Sequence, residues 1–382
     1  PTMKFSGFVT GLFFLLFQHP AWPYPELVRH GYSTCLACHV SATGGGILSE
    51  YGRELSRELL STWGKAKETK PLHGLVKIPK KFAIGGDYRT LQVTQSTPQF
   101  ESGYLFNMQL DIEAAYYYKK RTVAVAAIGK KISGTKGENN SIFSHRHFVS
   151  YNYSDSTNIR LGRFYPEYGI YNPNHRRFVR QYFGFDSYYE TYNAEVNYNT
   201  ESYNVFLTAI LGRPEISEDE IDPGLQRERR GSGHSGLALT GNYFLLEKHR
   251  VGASFRQGSL DKESYSQEAL YAIFGFTKSL YLMAEMDWRK EKFDTIKTDL
   301  SANLLHMGFE FYKGWHIYGL HQEFHREDNV GSVPYDVVAN GLGVQIFPRP
   351  HWELVFEYQT RNVPPSGNFE EDYYYFLLHY YL

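Results

Sequence analysis

The sequence is short of cysteine: its 382 residues include two. A scaffold held by several disulfides is thereby excluded. It also lacks a dominant charge. The formal net charge is −1, so no global basic field points to nucleic acid. Beyond the N-terminus there is no apolar run long enough to cross a membrane as a helix. Aromatic residues are abundant instead, at 17% of the chain, with 32 Tyr and 27 Phe. A Tyr-rich, Gly-rich, cysteine-poor composition fits an exported all-β protein. A large barrel can use this length as a single domain.

Both cysteines lie in one pentapeptide, Cys35-Leu36-Ala37-Cys38-His39. Cys-x-x-Cys-His is the attachment signature of c-type haem. Thiols at this spacing bond two vinyl-derived carbons on one porphyrin edge, and the adjacent imidazole reaches the iron from one face. The pattern predicts one covalent haem c, with Cys35 and Cys38 as thioether links and His39 as the proximal iron ligand. A periplasmic disulfide or redox Cys-x-x-Cys is the simpler alternative, and a zinc site would be one ligand short. Residues 3–21 read as a signal peptide. Lys4 supplies positive charge, Gly7 to Phe17 is apolar, and His19-Pro20-Ala21 precedes a cleavage point. Export and haem attachment support each other.

The rest of the chain alternates. Phe106, Met108, Leu110, Ile112, Ala114 and Tyr116 interleave with Asn107, Gln109, Asp111, Glu113 and Ala115. Leu280 to Arg289 and Trp352 to Gln359 behave the same way. Period two gives each strand an apolar and a polar face. Mid-strand carboxylates would be costly in a soluble sandwich core, whereas a watery lumen holds them. Sixteen strands are predicted: 82–95, 103–118, 121–130, 144–153, 157–164, 185–199, 203–212, 236–247, 249–258, 266–277, 280–288, 300–312, 315–326, 336–347, 351–361 and 372–382. Their connections alternate short and long, the long ones including 131–143, 165–184, 213–235, 259–265 and 289–299. Outer-membrane barrels show this asymmetry. The last strand alternates through Tyr374, Phe376, Leu378 and Tyr380 to Leu382, like the terminal insertion signal of such barrels.

The expected fold is therefore all-β: a transmembrane antiparallel barrel of about 16 strands over 82–382, preceded by a small α-helical c-type haem module at 22–63 and a Lys-rich linker at 64–81. Within the module, Ile47 to Trp63 reads as a helix with Leu48, Tyr51, Leu55, Leu59 and Trp63 on one face. Gly44-Gly45-Gly46 permits a sharp turn or close backbone approach.

This plan resembles the outer-membrane cytochrome–porin fusion family associated with iron-oxidising bacteria. Tyr24-Pro25, Arg29, Gly31, the haem motif and Tyr51-Gly52-Arg53 look like that family's N-terminal pattern. His30 and the triple glycine depart from it. The resemblance implies electron transfer across the bacterial outer membrane. A periplasmic carrier such as a soluble cytochrome would serve one side. An extracellular donor or acceptor, Fe(II) in the iron oxidisers, would serve the other, with outer-membrane lipid around the barrel. The alternative is a porin or solute channel whose haem-bearing module is a plug or sensor. A haem enzyme would need an open iron position.

The sixth iron ligand has five candidates among 15 His and 5 Met: His30 and His73 near the module, and Met283, His306 and His321 as inward-facing strand residues. Two loops stand out. Loop 165–184, with His175, Arg176, Arg177 and Arg180, is long enough to fold inward and attract anions or haem propionates. Loop 213–235 carries Glu215, Glu218, Asp219, Glu220 and Asp222, hard oxygen donors suited to Fe(II), with Arg227, Arg229 and Arg230 compensating them.

Overall fold

A computed structural model describes residues 24–119, 121–130, 142–185, 190–212, 234–260, 262–331, 334–363 and 369–382. The signal segment 3–21, nearly all of loop 131–143 and residues 213–233 of the acidic loop lie outside the described residues. The first eight strands are β1 Phe82–Ser96, β2 Glu101–Tyr118, β3 Thr122–Lys130, β4 Ile142–Asn152, β5 Thr157–Phe164, β6 Thr191–Asn199, β7 Tyr203–Gly212 and β8 Ser235–Leu245. The others are β9 His249–Leu260, β10 Glu263–Gly275, β11 Leu280–Phe293, β12 Ile296–Tyr312, β13 Trp315–Asp328, β14 Tyr335–Ile346, β15 Trp352–Val363 and β16 Phe369–Tyr381. Each pairs antiparallel with its chain neighbours, and β1 pairs with β16 to close a sixteen-stranded barrel. Closure leaves no strand edge unpaired.

The polarity is inverted relative to a soluble protein. Leu305, Met307, Phe309, Ile317, Leu342 and Phe356 face outward and are exposed. Glu113, Arg160, Glu195, Glu285, Asp287, Glu353 and Glu357 face inward and are buried. An apolar outer band over a polar interior is what a barrel presents to lipid.

Several boundaries differ from the sequence expectation. β6 begins at Thr191 rather than 185, because Phe185 packs with Tyr165 and Tyr168 inside the barrel. The loops expected at 259–265 and 289–299 shrink to tight turns. Glu263 pairs with Leu260, and Phe293 with Ile296. Ladder hydrogen bonds thus continue past the point where apolar residues run out. The helix expected over 47–63 is also shorter. Only Glu50–Leu55 is α-helical, and Ser56–Leu60 widens to a π turn. The widening moves the buried face, so Leu60 packs inside while Tyr51 and Trp63 are exposed. The N-terminal segment is accordingly not a helical module but short 3-10 turns around this helix, α1.

Aromatic rings lie over glycines on the inner wall. Tyr281 pairs with Gly308 and Tyr318 with Gly343 across neighbouring strands. A Cβ added at Gly308 would run into the Tyr281 ring. We therefore expect Gly308→Ala to cost about 1–3 kcal/mol by overpacking. Gly241→Ala, whose Cβ would meet nothing within 4 Å, is the control. Loss of folded-barrel gel migration on heating should occur at lower temperature in the first variant and unchanged in the second.

Candidate functional site

The N-terminal segment closes the short-turn end of the barrel. Pro25–His30 forms a 3-10 turn capped by Gly31. From it, buried Arg29 donates through Nε to the Lys278 carbonyl at 2.7 Å and through Nη2 to Glu310 at 2.8 Å. Its guanidinium also lies over Tyr281. Downstream, the Thr62 amide donates to the Phe347 carbonyl and the Trp63 amide to that of Pro348. In the linker, His73 Nε2 meets the Tyr380 hydroxyl and Arg349 pairs with Glu68. The linker is therefore pinned to the wall at these points rather than freely solvated.

Between those anchors the chain enters the lumen. Cys35–Ala37 makes a 3-10 turn, and the His39 amide donates to the Cys35 carbonyl at 2.9 Å. His39 bridges Leu48, and the Val40 amide donates to the Ile47 carbonyl, so residues 39–48 form a narrow reversal. Gly44, Gly45 and Gly46 all have positive φ, between +61° and +79°, at its tip. A Cβ at Gly46 would collide with Arg146 and Glu113, which explains why the glycine run is needed there. Arg160 on β5 donates to Ser41 Oγ at 2.9 Å and Thr43 Oγ1 at 3.3 Å, and pairs with Glu195 at 2.8 Å. The Ile47 amide donates to Glu113 at 3.2 Å.

Loop 165–184 folds inward. Tyr168, Ile170, Phe178, Val179 and Phe183 are buried in one cluster with the inner faces of β10 to β14. Arg177 grips Glu357 with both terminal nitrogens, at 2.8 and 2.5 Å. The loop carries one short helix, α2, Phe178–Gln181.

A chamber of about 210 Å³ lies between the N-terminal plug and this loop. The plug contributes Tyr24, His39 and Leu48, the loop Tyr171, His175 and Arg180, and the barrel wall Arg89, Met108 and Arg146. His39 Nδ1 lies 3.0 Å from the Gly45 carbonyl, where only a protonated Nδ1 can donate. That tautomer leaves Nε2 as an acceptor, and Nε2 is buried with no hydrogen-bond partner among the described residues. Burial pushes the imidazole pKa down to about 3, so the ring is neutral, the form that binds metal. A carbonyl holding the far nitrogen is the usual way a metal-binding histidine is oriented. Arg180 is buried between the rings of Tyr171 and Phe185. Arg146 is paired with Glu113. His379 is held by Glu353 at 2.7 Å and Asp87 at 2.9 Å.

These features fit a haem on its iron side: an orphaned imidazole nitrogen, aromatic walls and arginines for carboxylates. The cysteines are placed less directly. Cys38 is fully buried with Tyr24 and Leu48, which themselves line the chamber. Cys35 is half-buried and does not line it; burial and Glu167 push its thiol up to about 12.

None of the five sixth-ligand candidates lines the chamber. His30 ends the first 3-10 turn. His73 docks on Tyr380 at the short-turn end. Met283 is buried in the large apolar cluster. His306 is stacked between Tyr281 and Tyr318, at 5.9 and 4.6 Å. His321 does not face inward: it is half-buried beside Asn340 and Glu323, and its neighbours Leu320 and Gln322 are the inward residues. Sequence parity misplaced it by one residue. The residues missed, Arg89, Met108 and Arg146, come from three separate strands and share no local motif.

No family model and no curated protein matches the chain. Solved structures do. The loop-deletion form of OmpT, an outer membrane protein of Vibrio cholerae, has a TM-score of 0.60 at 12% identity, covering 79% of this chain and 99% of that one. Salmonella typhi OmpF in complex with daunomycin has a TM-score of 0.60 at 13% identity, covering 80% and 100%. An anion-selective porin from Comamonas acidovorans has 0.57 at 10%, covering 79% and 99%. The fold is that of outer-membrane porins.

Two outcomes test the plug. Arg160→Ala leaves Glu195 buried without its charge partner, a loss of ~3–5 kcal/mol. Protease should then cleave within 39–48 while the barrel keeps its folded migration; unchanged cleavage contradicts the anchor. Glu26 is buried, and desolvation raises its carboxyl to about 7. A raised acid favours the folded state below its ordinary pKa of about 4.5, and that advantage is lost as pH climbs through 7. Glu26→Gln should therefore raise the unfolding temperature at pH 8 and leave it unchanged at pH 4.

Proposed function

We propose that this chain is an outer-membrane electron-transfer protein carrying one c-type haem, with Cys35 and Cys38 as its thioether links and His39 as its proximal ligand. The observation that carries this reading is the orientation of His39: Nδ1 fixed on the Gly45 carbonyl, Nε2 orphaned at the chamber wall. The Cys-x-x-Cys-His spacing supplies the attachment chemistry. When bound, the haem supplies a one-electron iron couple.

The chain's own residues do the rest. The Gly45 carbonyl holds the imidazole in one tautomer and orientation. Arg89, Arg146 and Arg180 line the chamber and would pair with a porphyrin's carboxylates. Tyr24, Phe164 and Phe185 give the chamber apolar walls. The plug and the inward loop together occupy the lumen on either side of the chamber. A gallery continues from the chamber toward the long-loop end, past Arg361 and Tyr373. It shortens the insulating distance across a band about 25 Å tall.

In this reading a soluble cytochrome or similar carrier meets the short-turn, periplasmic end. An extracellular donor or acceptor, with Fe(II) as the leading donor, meets the long-loop end. Lipid of the bacterial outer membrane surrounds the apolar band. An open solute channel is the competing reading, and the porin fold favours it. The occupancy of the lumen by residues 39–48 and the loop after β5 counts against it.

Protein purified from outer membranes should retain haem after denaturation, and the Cys35→Ala/Cys38→Ala double variant should lose it. The double variant should keep heat-modifiable barrel migration, since every strand lies downstream. In planar bilayers the native protein should give no large steady currents. Denatured native protein without haem sinks the cytochrome reading, and stable large conductance in haem-loaded protein sinks the closed-conduit reading in favour of the channel.

A further inference from the structure

Strand β2 carries a bulge. Opposite β1, the register runs Arg89↔Gln109 and then Thr90↔Asn107, leaving Met108 as the extra residue. Without the bulge, Met108 would share the outward parity of Leu110 and Ile112, both exposed. With it, Met108 turns inward. It packs against the cluster of Leu91, Val93 and Tyr373 and lines both the chamber and the gallery. Bulges interrupt a ladder and re-aim one side chain, and they recur beside functional sites.

The position of Met108 can be read from the two cavities. Arg89, Met108, Asn172, Pro173 and His175 line both, whereas no plug residue lines the gallery. These five residues therefore mark the boundary of the chamber away from the plug, and His39 stands on the plug itself. Two of them carry a side chain that ligates haem iron. His175 sits on the inward loop, is half-buried and has a contact of its own. Met108 is held on a strand, where a ligand is positioned more rigidly than on a loop. Its thioether is uncharged and needs no deprotonation to bind.

We propose that Met108 is the second axial ligand of the haem, opposite His39. This inference rests on the cytochrome reading above. His/Met ligation raises the potential of haem iron, which suits a carrier that accepts electrons from a weak reductant. It also assigns the bulge its purpose, since a regular β2 would present the thioether to lipid.

The test uses the full-length protein with its attached haem, comparing native protein, Met108→Leu and His175→Gln. Leu keeps the volume and apolar packing of Met. The native ferric protein should show the far-red sulfur-to-iron charge-transfer band. Met108→Leu should lose that band, bind CO readily when reduced and show a lower midpoint potential, with covalent haem per chain unchanged. His175→Gln should keep the native spectrum. A band that survives in Met108→Leu overturns the assignment, as does a native protein that lacks it. A native spectrum changed only by His175→Gln moves the ligand to the loop. Those results leave the cytochrome reading standing. Native protein without covalent haem removes that reading and the ligand with it.

Discussion

Everything in this molecule depends on an inside that is more polar than its outside. A closed barrel satisfies its own backbone, but its inward charges still need partners. They find them on whatever fills the lumen. Arg160 reaches Ser41 and Thr43, Glu113 takes the Ile47 amide, Glu357 takes Arg177, and Glu285 takes the Ile170 amide. The first two contacts hold the plug and the last two hold the inward loop. The charges that forbid an apolar core thus become the sockets that position both inserts.

The same logic explains the chamber. Plug and loop approach from opposite ends, and each is fixed to the wall by its own ions. The space left between them is bordered by both, which is why His39 and His175 share one cavity although 136 positions of sequence separate them (175 − 39). The comparison with porins adds the fold and nothing finer. At 10–13% identity the shared barrel says little about what the lumen holds.

Much of the barrel was legible because period-two alternation is a local signal. Leu280 to Arg289 announces its two faces within ten residues, and Tyr281, Met283, Glu285 and Asp287 do line the interior. The haem motif was equally local. What failed needed information from elsewhere. His321 was assigned the wrong face because its strand mixes polar and apolar residues on both sides. Met108 was assigned to the lipid face because a bulge is defined by the partner strand, not by its own sequence. The helix at 47–63 was overextended because a π turn shifts the apolar face without altering composition. The chamber could not be foreseen at all, since its wall is assembled from β1, β2, β4, β5, β16, the plug and the loop.

The barrel's seam lies where the plug enters. Gly85 on β1 is so close to Ile47 that a Cβ there would touch it, and Tyr381 on β16 meets the Ser56 hydroxyl at 3.2 Å. These are the two strands whose pairing converts an open sheet into a cylinder. The plug is therefore gripped by both lips of the seam, and zipping them traps it.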